Sequence, residues 1–299
     1  MKLIIAGASG YIGRRLVRQA AAEGHGILSL VRKPDEALKP YGTQANYLDA
    51  LPDSHLGADA LISVAGLAHA HAGDSEFDSA NRRLPLEVAR HVADGNIGRL
   101  VHVSTLGVYG SWSASPVSEG SRLAPETPYA RSKLEGDRAL ASFLAASPES
   151  LTIVRPPMVY GPRCPGNFSR LRRLVARGWP LPFGSARAKR SFIYVDNLVD
   201  FLLRCTPSAS PSGLYVIGDG SDYSVGELVS AMAFADGVRF CNLPVPCALL
   251  RAVGRLAGRR RDMDSLTRPM VVDWTRAREA LKWFPLVDAD EAMSRALAV

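Results

Sequence analysis

Leu3-Ile4-Ile5-Ala6-Gly7-Ala8-Ser9-Gly10-Tyr11-Ile12-Gly13 decides the fold. A short apolar run feeds straight into three glycines spaced three apart. Ile12, Leu16, Val17 and Ala20 then fall on one helical face, and residues 27–31 read as a second buried strand. A glycine turn between strand and helix answers three needs. The chain must bend sharply, the backbone must come close to a ligand, and the helix must pack tightly on the strand. The helix N-terminus then presents free N–H groups and a positive dipole end to an anion. The spacing G-x-x-G-x-x-G departs from the standard dinucleotide fingerprint. Its place between two strands and an amphipathic helix still predicts a dinucleotide pyrophosphate on this turn.

The pattern continues outward. Residues 59–64 and 100–105 read as strands, 77–93 as a helix, and 151–154 as a further strand. Thr127 is a candidate N-cap, with Pro128 at the first position of a helix running towards Leu144. Repeated strand–helix–strand units predict a parallel sheet covered by helices on both faces. The expected fold is therefore α/β, a Rossmann-type doubly wound sheet with a smaller C-terminal substrate lobe. Residues 1–160 form the nucleotide-binding domain, and strands around 190–217 return to it. Residues 161–299 form mainly the lobe, with helices such as Phe168–Arg177 and Thr275–Leu281. Trp274 and Trp283 are expected as core anchors of that lobe.

Composition narrows the function. The chain has 299 residues, 47% of them hydrophobic, and a net charge of +7. That charge suits nucleic acid, an anionic membrane or an anionic small molecule. Basic residues are dense at 163–190 and at Arg259-Arg260-Arg261, with no aromatic-interleaved stripe of the kind single-stranded nucleic acid uses. A phosphorylated cofactor and substrate account for the charge, and nucleic acid is not expected. No apolar run approaches the roughly 20 residues that span a bilayer, and nothing reads as a signal peptide. Cys164, Cys205, Cys241 and Cys247 lack metal spacing, and His69 and His71 read as a loop pair, so no metal is expected. His102, inside a strand, reads as a packed or surface histidine. The expectation is a reduced, cytoplasmic protein.

The end of the second strand discriminates cofactors. An acid there holds the ribose 2′-hydroxyl of NAD. Here that position is Val31, followed by Arg32, while Asp35 and Glu36 lie beyond Pro34. A guanidinium favours the 2′-phosphate, so NADP(H) is expected over NAD(H). Read alone, Arg32 is also an ordinary surface cation.

Tyr129 and Lys133 stand one helical turn apart. A free phenol titrates near 10, about three units too high for a base at neutrality, which is roughly 4 kcal/mol. A close ammonium is expected to supply that energy and lower the tyrosine pKa. In the reducing direction the same phenol donates its proton. Ser104-Thr105 ends a strand at the edge where open α/β sheets place ligands, and Thr105 is expected to anchor the reacting oxygen.

These residues resemble the extended short-chain dehydrogenase/reductase family, the NAD(P)-dependent sugar-nucleotide epimerases and dehydratases. Gly7-x-x-Gly10-x-x-Gly13 matches the family's cofactor turn, Thr105 falls on its catalytic hydroxyl, and Tyr129-x-x-x-Lys133 matches its catalytic pair. Arg155-Pro156-Pro157-Met158-Val159-Tyr160-Gly161-Pro162 is similar to its R-P-x-x-V-Y-G-P block. Arg190-Ser191-Phe192-Ile193-Tyr194-Val195-Asp196 resembles the segment whose arginine contacts a nucleotide diphosphate. Ala280-Leu281-Lys282-Trp283-Phe284-Pro285 looks like the family's L-G-W-x-P ending, with lysine for glycine. The resemblance implies cofactor contacts from Gly7, Ser9, Gly10, Tyr11, Ile12, Arg32, Asp49, Ala65, Tyr129 and Lys133. It implies substrate contacts from Asn81, Thr105, Asn167 and Arg190. Asn81 also resembles the asparagine that supports the active-site strands.

Two departures matter. The acid missing at Val31 and Met158 in place of a substrate-binding asparagine both weaken a plain UDP-galactose 4-epimerase reading. The expectation is an enzyme reducing a 4-keto nucleotide sugar, with UDP as the expected nucleotide. A 4-epimerase with tightly bound NAD is the alternative, and a non-catalytic NADP-binding regulator of the same fold is the second. Family pairing places helices 77–93 and 127–145 in a homodimer contact.

Overall fold

The computed structural model describes residues 1–46, 56–67 and 73–298. Its first half alternates strand and helix: β1 (Lys2–Ala6), α1 (Tyr11–Ala22), β2 (Gly26–Val31), β3 (Thr43–Asn46), β4 (Ala60–Ser63), α2 (Asp74–Asp78), α3 (Leu84–Ala93), β5 (Leu100–Val103), α4 (Pro128–Phe143) and β6 (Leu151–Arg155). A π-helical turn, Ser79–Arg83, links α2 to α3. The second half adds β7 (Met158–Tyr160), α5 (Asn167–Val175), β8 (Arg190–Tyr194), α6 (Val195–Arg204), β9 (Gly213–Val216), β10 (Asp222–Tyr223), α7 (Val225–Ala235), α8 (Cys247–Leu256), α9 (Arg260–Thr267), α10 (Thr275–Leu281) and α11 (Ala289–Leu297).

Seven strands make one parallel sheet in the order β3-β2-β1-β4-β5-β6-β9. Alternate side chains of β1 feed opposite faces. Leu3 and Ile5 pack with Leu16, Val17 and Ala20 of α1 and with Leu198, Phe201 and Leu202 of α6. Ile4 and Ala6 pack with Val88, Ala89 and Val92 of α3 and Leu140 of α4. With both faces covered, β4, β5 and β6 are buried end to end, which is why they read as nearly unbroken apolar runs. Strand order reverses between β1 and β4, and the crevice beyond their carboxyl ends is where such sheets bind ligands.

A second sheet, β10-β8-β7, belongs to the lobe. Only β9 of the 190–217 region joins the main sheet. β8 does not return to it as expected, because it pairs in parallel with β7, a strand too short and proline-flanked to be read from sequence. The lobe core gathers Tyr160, Phe168, Phe192, Tyr194, Val229 and Met232. Trp283 is corrected too. It packs edge-on against Phe201 at 5.1 Å and Trp274 at 5.9 Å, and its Nε1 donates to Asp200 at 2.7 Å. Both tryptophans therefore anchor the outer helix layer of the main sheet, not the lobe.

Candidate active site

The glycine turn is constrained at each glycine. Gly7 adopts φ +87°, and a Cβ there would lie 2.6 Å from the Ala65 amide nitrogen. A Cβ on Gly13 would fall inside contact distance of the Gly7 carbonyl, so any side chain would push α1 off the strand. Gly10 is the N-cap of α1, and no side chain caps it. The first-turn N–H groups of α1 are thus presented as an anion site. Ser9 and Gly10 are exposed, and Tyr11 and Ile12 half-buried, along this cradle. The turn fits the pyrophosphate of a dinucleotide.

Arg32 is exposed just past buried Val31 at the end of β2. The Asp35 carboxylate is taken up by Arg14 at 2.5 Å and caps the next turn through Ala37 N–H, so it is committed within the protein. Asp49, and the His69/His71 pair, lie outside the described residues. Among the described residues no cluster of histidine, cysteine or acidic side chains could hold a metal.

Helix α4 starts where the sequence places it. Thr127 Oγ1 accepts from Ala130 N–H at 2.9 Å, with Pro128 at the first position. This brings Tyr129 up to the Thr105 side chain, whose polar group pulls the phenol's pKa down. Thr105 is itself held by accepting from Gly107 N–H at 3.1 Å. Lys133 Nζ donates to the carbonyls of Val103 at 2.9 Å and Ala65 at 3.4 Å. Ala65 therefore touches the glycine turn on one side and the lysine on the other. The glycine turn and α4 meet at this one loop.

The electrostatics differ from expectation. Tyr129 keeps some exposed surface, yet crowding around its phenol pushes its pKa up to about 12, with only the Thr105 side chain pulling it down. Lys133 does not lower it, because the ammonium is drawn onto the Val103 and Ala65 carbonyls. Burial brings Lys133 itself down to about 8. At neutral pH the pair is therefore a protonated phenol beside an ammonium, the state that gives a proton away. Lys133 is charged below its pKa and neutral above it. The ratio kcat/KM reports groups of the free enzyme, so a reaction that uses this pair as its acid loses kcat/KM on the alkaline side of about 8. A profile flat up to 10.5, the ordinary lysine value, would contradict this assignment.

Asn81 is corrected. It is fully buried and its amide is spent internally, accepting from Leu67 N–H at 3.0 Å and donating to Ser132 Oγ at 2.9 Å. It secures the floor of the site and does not line the cleft. Close packing enforces this, since a Cβ on Gly66 would sit 2.9 Å from both Asn81 Oδ1 and Lys133 Nζ. Arg190 Nη1 donates to the carbonyls of Ser111 and Arg268, both at 3.0 Å, and burial lowers its pKa to about 10. It ties the loop after Thr105 to the lobe. Asn167 is exposed at the first position of α5.

A buried network beneath the site went unread in the sequence. Asp137, one turn after Lys133, accepts from Ser104 Oγ at 2.8 Å and from Arg155 Nε and Nη2 at 3.0 and 2.9 Å. Arg155 Nη1 also donates to the Tyr109 hydroxyl at 2.8 Å. His102 is fully buried, and burial with the nearby Lys133 charge holds its pKa well below the usual value, so it is neutral. The one signal for this network was Arg155, a charged residue closing the mostly apolar run 151–154; Asp137, between Gly136 and Arg138, gave none.

Residues 3–218 match the family described as the NAD dependent epimerase/dehydratase family. A relative from Vibrio cholerae, a UDP-glucose 4-epimerase, is 30% identical and covers 95% of this chain and 90% of its own. A dTDP-4-dehydrorhamnose reductase of Mycobacterium tuberculosis is 32% identical over 59% of this chain and 56% of its own. A Bordetella bronchiseptica enzyme solved with NAD and UDP superposes with a TM-score of 0.76 at 20% identity, covering 99% of this chain and 93% of its own; the last likeness concerns the fold.

Proposed function

The chain belongs to the NAD-dependent epimerase/dehydratase family, and on that premise we propose that it reduces the 4-keto group of a UDP-linked sugar at the expense of NADPH. The observation that carries this reading is the convergence of Thr105, Tyr129 and Lys133 on the loop that also holds the glycine turn. A nicotinamide held there would supply the hydride. Tyr129 and Thr105 hydrogen-bond the substrate oxygen, and Tyr129, protonated at neutral pH, delivers the proton as that oxygen becomes an alcohol. Lys133, held on the Val103 and Ala65 carbonyls, orients the ribose. Arg190 and Asn167 face the nucleotide diphosphate from the lobe, Arg190 with the N–H groups not used on Ser111 and Arg268. A homodimer contact would be made by the helical stretches 77–93 and 127–145.

Arg32 sets the cofactor preference by pairing with the 2′-phosphate. A hydrogen bond to a charged group is worth roughly 1.5–3 kcal/mol, so Arg32→Ser raises KM for NADPH roughly tenfold to a hundredfold and leaves KM for NADH unchanged. Steady-state assays with both cofactors read this, and equal losses with the two would contradict it. A second reading, a 4-epimerase with tightly held NAD, is favoured by the Vibrio cholerae relative, which spans nearly the whole chain. Cofactor release tests it: a reductase consumes added NADPH in step with substrate, whereas an epimerase copurifies with NAD and needs none.

A further inference from the structure

Two stretches carry basic residues and no acid: 163–190 with eight, and 237–261 with six arginines. The second contains α8, which turns an apolar stripe outward. Leu249 is 54% exposed, Val253 55% and Leu256 91%, with exposed Ala248 and Ala252 on the same face. These positions recur at helical spacing, so they form one stripe. The opposite face is the packed one: Gly254 is buried, and a Cβ there would collide with Met263 of α9. Arg255 flanks the stripe, and Arg259, Arg260 and Arg261 follow it directly at the start of α9, all exposed.

An apolar stripe with a cationic border does not suit water, and it does not suit a basic partner. It suits a surface that is apolar below and anionic above. We infer that α8 and the start of α9 dock this protein on an anionic lipid bilayer. Two weak signals combine there, shallow insertion of Leu249, Val253 and Leu256 and attraction of the arginines to acidic headgroups. No helix among the described residues is long and apolar enough to cross a membrane, so the contact is peripheral. The position has a consequence for the cleft. Arg261 Nη1 reaches the Glu126 carbonyl at 3.4 Å, three residues before Tyr129, so the docking hairpin borders the rim of the active site.

The test is co-sedimentation of the full chain with vesicles of phosphatidylcholine alone or of phosphatidylcholine with a minor fraction of phosphatidylglycerol. The expected result is binding to the anionic vesicles only, weakened by added salt. Two variants are compared, Leu249→Ser/Val253→Ser/Leu256→Ser and Arg255→Gln/Arg259→Gln/Arg261→Gln. Each lowers binding about tenfold or more and keeps the parent's melting temperature, because the altered side chains are exposed. The inference is overturned if the parent ignores anionic vesicles, or if both variants bind as the parent does. It is also overturned if the serine variant instead breaks an oligomer of the parent in sedimentation velocity, which would make the stripe a contact between copies of this chain.

Discussion

Tyr129→Phe lowers turnover by roughly two to four orders of magnitude, the usual contribution of a positioned proton donor, while fold and dinucleotide binding stay intact. The ring is kept and only the hydroxyl is lost. That hydroxyl meets the Thr105 side chain, and Thr105 retains its anchor at Gly107 N–H, 3.1 Å away, so the local frame survives. The cofactor cradle does not depend on the phenol either, since Gly7 abuts Ala65 and Lys133 reaches the same residue. The expected result is a fall in kcat with a nearly unchanged dissociation constant for NADPH, measured by fluorescence titration. Turnover surviving within a few-fold of the parent would exclude Tyr129 as the proton donor. It would also give weight to a non-catalytic role for the bound dinucleotide.

Asp137→Leu is the variant with the largest expected loss of stability. Asp137 and Arg155 side chains are 3% and 6% exposed and joined through two nitrogens. Removing one partner of such a pair strands the other charge in the core, at a cost of about 3–5 kcal/mol. Thermal unfolding reads this as a clear drop in Tm. Replacing Arg155 as well, in Asp137→Leu/Arg155→Met, removes the stranded charge and restores much of the loss. A double variant no better than the single one would show that the stabilisation lies elsewhere, in Ser104 or Tyr109. The same pair sits under Ser104 and one turn beyond Lys133, so its loss also loosens the catalytic helix against β5.

Local chemistry explains which features could be read from the sequence. The glycine turn was legible because its three needs are met by adjacent residues between a strand and a helix. Thr127 and Pro128 announced α4, and with it the face shared by Tyr129 and Lys133. The partner sheet of β8 was not legible, because a five-residue strand does not say which neighbour it pairs with. The state of Tyr129 was misread for a related reason. Helical spacing brings an ammonium near, but tertiary contacts decide where it points, and here the Val103 and Ala65 carbonyls take it. The resemblance gave Asn81 two roles, a substrate contact and a support of the active-site strands. Its burial shows a residue spent on joining Leu67 to Ser132.

The most direct measurement follows the hydride itself. The protein is incubated with a UDP-linked 4-keto sugar and NADPH carrying deuterium on the transferred face of nicotinamide C4, and the product is read by NMR. Reduction through the Thr105–Tyr129–Lys133 site predicts deuterium at sugar C4, matched one to one by oxidised cofactor and abolished in Tyr129→Phe. An unlabelled sugar with the cofactor left reduced would contradict it.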